Sequence, residues 1–402
     1  MHNVYPLGSE IYWIGVNDRR IDLFENHFPV LDGVSYNSYF IDDEETAVLD
    51  TADNSVLTQY FSNLEYVLKG RPLNYLIVQH MEPDHCAGLA HLAHKYPETK
   101  IVVNERTACF IKQFFPEGVD WDSRFLLVTN GQRLKVGKRE LTFVFAPMVH
   151  WPEVMVTYDA THRVLFSADA FGSFGALSGN ITNERADVRS RIAEYRRYYT
   201  NIVGKYGFQT SKLLGIAAGL DFKMICPLHG LVLCRDFDYL IGKYQKWATY
   251  QPEERAVMIA FASMYHHTEN AAEVLARYLD AEGVEEIALY DVSRLSQSHL
   301  VAEAFRCSHI VLAAPTYMNE LYPEMEHFLH ALRSRGVAGR QLALIGNGSW
   351  APQAVKVMSG LVASLPRTKL LGVVEFMSSL NEAKERELQG LAQRIAASLR
   401  ED

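Results

Sequence analysis

The sequence predicts two α/β domains: a sandwich of two mixed β-sheets with outer helices over residues 1–251, then a doubly wound parallel five-stranded sheet over 252–402. Three observations carry this. The chain has 402 residues, too many for one ordinary core. Its last third repeats apolar runs and helical stretches in regular alternation, which is how a parallel sheet covered on both faces reads. A polar seam, ATYQPEERA at 248–256 with Pro252, separates that pattern from a less regular one before it.

Taken in order, IYWIGV (11–16), YNSYFID (36–42) and TAVLDT (46–51) are strand-like, and YLIVQHM (75–81) and KIVVN (100–104) alternate with helices. ELTFVFAP (140–147) and VMVTYDATHRVLFSAD (154–169) read as a hairpin-like pair turning at Asp159–His162. Helices of roughly 185–220 and 236–250 flank ICPLHG (225–230). In the second domain the apolar runs are VMIAFASM (257–264), EIALYDV (286–292), HIVLAAPTY (309–317), QLALIGNGS (341–349) and LLGVVEF (370–376). Polar HHTEN (266–270) follows the first run, and helical spacing sets in with AAEVLARYLDAEG.

Composition excludes several classes of function. Hydrophobic residues are 48% and charged residues 22%, ordinary for a soluble globular chain. A net charge of −9 with no basic stripe argues against nucleic acid, which needs one. No apolar run nears the ~20 residues of a membrane helix, and the first residues lack a basic-then-apolar leader. A cytoplasmic protein, away from membrane, is expected. Cys86, Cys109, Cys226, Cys234 and Cys307 never fall as C-x-x-C, which excludes a cysteine metal cage. They are expected to be reduced, small apolar residues.

The strongest chemical signal is QHMEPDHCAG (79–88), with His80, Glu82, Asp84 and His85 between an apolar strand and a helix. In an extended segment alternate residues point the same way, so His80, Glu82 and Asp84 can converge on one side. Pro83 favours a non-helical path there. Three more candidates stand at strand ends: His150 after FVFAPMV, Asp169 after RVLFSA, and His229 in PLHG. Seven ligands suffice for two metals bridged by one carboxylate.

This H-x-E-x-D-H run with its later His, Asp and P-L-H-G resembles the metallo-β-lactamase-like αββα sandwich. Zinc hydrolases of that fold usually carry His where Glu82 stands, and the carboxylate resembles the flavodiiron branch instead. An oxygen-richer, more anionic site suits iron that changes oxidation state. By resemblance one iron takes His80, Glu82 and His150, the other takes Asp84, His85 and His229, and Asp169 bridges them. His85 is not a ligand in every member. His27 and Tyr195 stand where members often place residues lining the iron pocket.

The resemblance extends to a flavodoxin-like second domain holding FMN with three loops. The first is Ser263, Met264, Tyr265, His266, His267 and Thr268, where the histidine pair replaces the usual small residues. Bulk there can shift the loop and weaken FMN, or the imidazoles can help hold its phosphate; the residues fit both. The second loop carries Pro315, Thr316, Tyr317, Met318 and Asn319, and the third Gly346, Asn347, Gly348, Ser349 and Trp350. The resemblance implies an oxidoreductase that reduces dioxygen to water or nitric oxide to nitrous oxide. It implies a head-to-tail homodimer, or a tetramer, and an external donor such as a rubredoxin or a flavin reductase. Two other readings remain open: a zinc-dependent hydrolase fused to a flavodoxin-like module, and a non-catalytic electron carrier.

Overall fold

A computed structural model describes residues 1–401. The chain divides into two compact units, one of residues 1–199 with 208–242, the other of residues 200–207 with 243 onward. Among the described residues, no helix is long and apolar enough to cross a membrane.

The first unit holds a seven-stranded and a five-stranded sheet. In the larger sheet Tyr5–Gly8, Ile11–Trp13, Tyr39–Asp42 and Thr46–Leu49 run antiparallel, and Tyr75–Ile77, Lys100–Val103 and Phe125–Leu127 continue it in parallel. The smaller sheet is Arg133–Val136, Arg139–Phe145, Met155–Asp159 and Val164–Phe166, all antiparallel, with Met224–Cys226 parallel to the last. Trp13, Tyr39, Leu49 and Ile77 of one sheet share a core with Phe143, Met155, Phe166 and Cys226 of the other. Alternate residues of each sheet thus meet across the sandwich.

Some expected elements are interrupted, YNSYFID among them, with Tyr36 ending one strand and Tyr39 opening the next. IYWIGV is not one strand: Ile11–Trp13 joins the large sheet, while Val16–Asp18 pairs with Val34–Tyr36. The break falls at Gly15, where a Cβ would lie 2.3 Å from the Tyr36 carbonyl. The helical stretch expected over roughly 185–220 is α-helical at Ile192–Tyr198 and Gly207–Ala217, with a wider turn at Tyr199–Val203 and a tight one at Gly204–Tyr206 between them. A side chain at Gly207 would meet the Ala248 carbonyl at 2.3 Å.

The second unit holds a sheet of five parallel strands, Glu254–Phe261, Ile287–Asp291, Cys307–Tyr317, Gln341–Gly348 and Lys369–Met377, in spatial order 2-1-3-4-5, and a short sixth strand, Glu320–Leu321, pairs antiparallel with the end of Cys307–Tyr317. Val257, Ile259, Val311, Ile345 and Val374 pack one face against helices His267–Ala281 and Glu382–Glu401. Met258, Ala260, Ile310, Leu312 and Leu344, one step out of phase, are equally buried. Burial on both faces is why these strands read as unbroken apolar runs. The first helix starts earlier than expected: His266 closes the loop at φ 65°, and His267, Thr268, Glu269 and Asn270 are already helical. The order reverses between the first and third strands, the position where such sheets bind ligands.

Arg340 locks the start of this unit. It is 1% exposed, and its guanidinium donates to the carbonyls of Ala304, Phe305, Ala338 and Tyr250. Arg340→Leu should cost the unit at least about 3 kcal/mol, because hydrogen bonds from a charged donor contribute about 1.5–3 each. A lower urea midpoint with an unchanged slope is the expected reading.

Candidate metal centre and cofactor cavity

Strand ends deliver the predicted ligands of the first unit to one place. After Tyr75–Ile77 the backbone N–H groups of Gln79 and His80 donate to Asp50 Oδ1 at 2.8 and 3.3 Å. The chain stays extended through Glu82 (φ −63°, ψ 139°) and then forms one helical turn, Pro83–Cys86. The extended path expected to reach Asp84 therefore stops at Glu82. Proline holds its predecessor extended and suits the first helical position itself. Asp84 and His85 thus leave the turn in another direction from His80 and Glu82.

His80, Glu82, His150 and Asp169 form one cluster and Asp84, His85 and His229 a second, with the ligand atoms within each lying within 4.8 Å of one another. In the first, His80 Nε2 lies 3.3 Å from His150 Nε2, and Glu82 Oε2 is 3.4 and 3.0 Å from these two nitrogens. In the second, His85 Nε2 and His229 Nε2 are 3.0 Å apart, and Asp84 Oδ2 is 3.3 and 3.2 Å from them. Asp169 spans both. Its Oδ2 stands 3.2 and 3.1 Å from His80 and His150, and its Oδ1 3.4 and 3.8 Å from His85 and His229. Ligands about 2.0–2.2 Å from a transition metal stand roughly 3.3 Å apart in a tetrahedral arrangement, so these separations fit one cation per cluster. The oxygens of Asp84 and Asp169 are buried, and their nearest polar neighbours are the histidine nitrogens, a setting that favours positive charge between them.

The opposite ring nitrogens fix the imidazoles. His80 Nδ1 lies 2.8 Å from Glu153 Oε1, which also accepts from the Met81 N–H at 2.9 Å. His229 Nδ1 donates to the Ser35 carbonyl at 2.8 Å. Asn37 holds the His229 loop by donating to the carbonyls of Pro227 and Gly230. Phe24, Tyr198 and Tyr36 wall the His229 ring, with centroids at 5.4, 5.3 and 5.9 Å.

In the second unit a cavity of about 700 Å³ opens at the reversal point, within the range for cofactor sites. Ser263, Met264, Tyr265, His267 and Thr268 line it from the first loop, and Pro315, Thr316, Tyr317, Met318 and Asn319 from the second. Asn347, Gly348, Ser349 and Trp350 complete it, together with Ala351 and Ser378. Two expected residues stand off the wall. The His266 ring turns out to Glu269, Nδ1 to Oε2 at 2.6 Å. Gly346 faces the helix Ala354–Val362 instead, since a Cβ there would lie 2.4 Å from Val355 Cγ2. The Thr316 hydroxyl accepts from the Gln353 and Ala354 N–H groups and so caps that helix.

The family described as "ODP family beta lactamase" matches residues 34–230. The chain is 30% identical over 354 residues to the nitric oxide reductase of Moorella thermoacetica, covering 87% of this chain and 86% of that one. It is 28% identical over 377 residues to the rubredoxin-oxygen oxidoreductase of Megalodesulfovibrio gigas, covering 92% and 91%. The solved rubredoxin oxygen:oxidoreductase from Desulfovibrio gigas shares the fold with a TM-score of 0.93 at 25% identity, covering 99% of each chain. A flavodiiron protein from Giardia intestinalis matches in fold with a TM-score of 0.92 at 24% identity, covering 100% of this chain and 98% of that one. The chain belongs to the flavodiiron protein family.

Electrostatics in this flavodiiron protein follow from burial and mutual charge. Burial alone would depress His150, but Asp169 and Glu82 raise it to about 9. His80 is likewise held well above the ordinary imidazole range, burial being overcome by Asp169, Glu153 and Glu82. Burial would raise Asp169 and Glu82, but the surrounding histidines hold both well below the carboxylate range. Protons on imidazole thus supply, in the protein alone, the positive charge that the carboxylates require.

His27 stands exposed, its ring edge-on to Phe28 at 4.7 Å. The contacts from its turn that reach the clusters come from Phe24, against His229, and from Glu25. Glu25 as a residue is exposed, but its carboxyl turns inward to hydrogen-bond Glu82 and is pushed up to about 8 by burial and the Glu82 charge. Tyr195 is fully buried beside Ser173 and Leu231, bracing the loop of His229. Glu153 escaped the sequence reading, though an acid three residues after His150 in HWPE was a usable signal. Asn37 and Ser35 carried none.

Gly230 sits at φ 77°, and a Cβ there would lie 2.2 Å from Ser173 Oγ. Gly230→Ala is expected to destabilise the first unit by more than about 1 kcal/mol and to displace His229. A depressed melting temperature, with reduced metal uptake by the folded fraction, is the measurement.

Proposed function

We propose that this chain reduces dioxygen to water, nitric oxide to nitrous oxide, or both, at two irons in its first unit, with FMN in the second passing on electrons from an external donor. The observation that carries the reading is Asp169, one buried carboxylate offering Oδ2 to one histidine pair and Oδ1 to another. His80, Glu82 and His150 would hold one iron, Asp84, His85 and His229 the other, with Asp169 shared. Three carboxylates among seven ligands favour iron over a thiolate-preferring ion. Once bound, the iron pair would supply two electrons and open coordination positions, and reduced flavin two more electrons.

The chain's own residues set the stage for this. Glu153 keeps the proton of His80 on Nδ1, so that Nε2 is the ligating atom. Phe24, Tyr36 and Tyr198 keep water from one side of the His229 ring. Tyr195, buried, and His27, at the surface, would shape the pocket. In the second unit the unpartnered Ser263 Oγ and Asn347 Oδ1 and the apolar Tyr265, Met318 and Trp350 match a cofactor with a polar tail and a flat ring. We place the division of tasks near residue 252.

An external rubredoxin or flavin reductase is our expected electron donor. A head-to-tail homodimer, alone or within a tetramer, is our expected assembly. We place the protein in the cytoplasm, on composition.

Metal and flavin analysis of the purified chain is expected to find about two irons per chain and releasable FMN, and the reduced protein to turn over with at least one of the two gases under anaerobic mixing. A firmly bound zinc pair in a colourless protein would refute the reading. Asp169→Asn should lose iron from both positions together, whereas His85→Asn should lose it from one. Glu153→Gln should weaken iron retention about 10–100-fold in chelator competition while leaving the melting temperature of the metal-free protein nearly unchanged.

A further inference from the structure

Two adjacent histidines enter the loop at the head of the helix His267–Ala281, and the structure gives them different tasks. The His266 side chain is 89% exposed and pairs with Glu269, the one acid in that helix's first turn. His267 lines the cavity, with Nδ1 3.2 Å from Ser379 Oγ. Ser379 thus occupies Nδ1, leaving Nε2 as the ring atom to meet a ligand. Among the described residues lining the cavity, His267 is the only basic one.

The surroundings call for an anion on a hydroxyl-bearing tail. The 15-residue helix has no side-chain cap, so its first amides lack acceptors. Ser263 Oγ is buried without a partner. Asn347, 7% exposed and on the cavity wall, has Oδ1 unpartnered. The helix amides and the His267 N–H would donate to phosphate oxygens, while Asn347 Oδ1 would accept from a hydroxyl.

We propose that His267 is the residue by which this cavity tells phosphorylated from unphosphorylated flavin, its Nε2–H donating to the phosphate of FMN. The proposal rests on the flavin reading above, and the test separates the two. Full-length protein freed of flavin is titrated with FMN and with riboflavin, following quenching of flavin fluorescence, as wild type, His267→Ala, His267→Gln and His266→Asn. His267→Ala should weaken FMN about tenfold to a hundredfold, as loss of one hydrogen bond to a charged group does, and leave riboflavin unchanged. His267→Gln, which keeps a donor, should recover part of the FMN preference. His266→Asn, which tolerates the left-handed backbone, should leave both affinities alone. Equal weakening of both flavins, no change in either, or loss on His266→Asn instead would overturn the role of His267. Wild-type protein that binds neither flavin would overturn the flavin reading itself.

Discussion

The first unit is organised around one buried carboxylate. Asp169 is 1% exposed, has only histidine nitrogens as polar neighbours, and presents one oxygen to each of two histidine pairs. A bare carboxylate in a low-dielectric interior is costly unless it is paired. Only positive charge on both sides of it satisfies the arrangement, and imidazolium or metal can supply that charge. The ligand positions around Asp169 follow from that requirement.

Holding seven side chains on such a point is the work of two packed sheets. The ligands follow strand ends of both, at Tyr75–Ile77 in one and at Val164–Phe166 and Met224–Cys226 in the other. Buried polar residues tie the intervening loops. Asp50 holds the Gln79–His80 backbone, Asn37 holds the Pro227–Gly230 loop, and Glu153 joins His80 to the turn that follows His150. Each bond removes freedom from a ligand before any cation arrives, which lowers the entropy lost on binding.

The second unit answers a different demand with the same economy. A parallel sheet buried on both faces leaves its strand ends as the place where backbone polar groups reach a ligand. The three loops there expose Tyr265, Met318 and Trp350, a rim far more apolar than an ordinary surface. Glycine serves two ends: Gly348 lines the cavity, whereas Gly346 lets a helix approach the sheet.

The sequence by itself determined the two fold classes and singled out the seven side chains that gather in two clusters, because burial writes its period into the chain and because His, Glu and Asp at strand ends have few other uses. It determined the three cavity loops for the same reason. Tertiary structure alone decided which carboxylate oxygen faces which histidine, since that depends on two sheets meeting. It brought the Glu25 carboxyl to Glu82 and left His27 exposed, because a tight turn sets direction over three residues that pattern cannot order. It turned His266 to Glu269 and set His267 on the cavity wall, and it put two irregular turns into the 185–220 stretch ahead of Gly207, where the Ala248 carbonyl leaves no room for a side chain. Local periodicity is a property of neighbours in the chain, whereas these choices belong to neighbours in space.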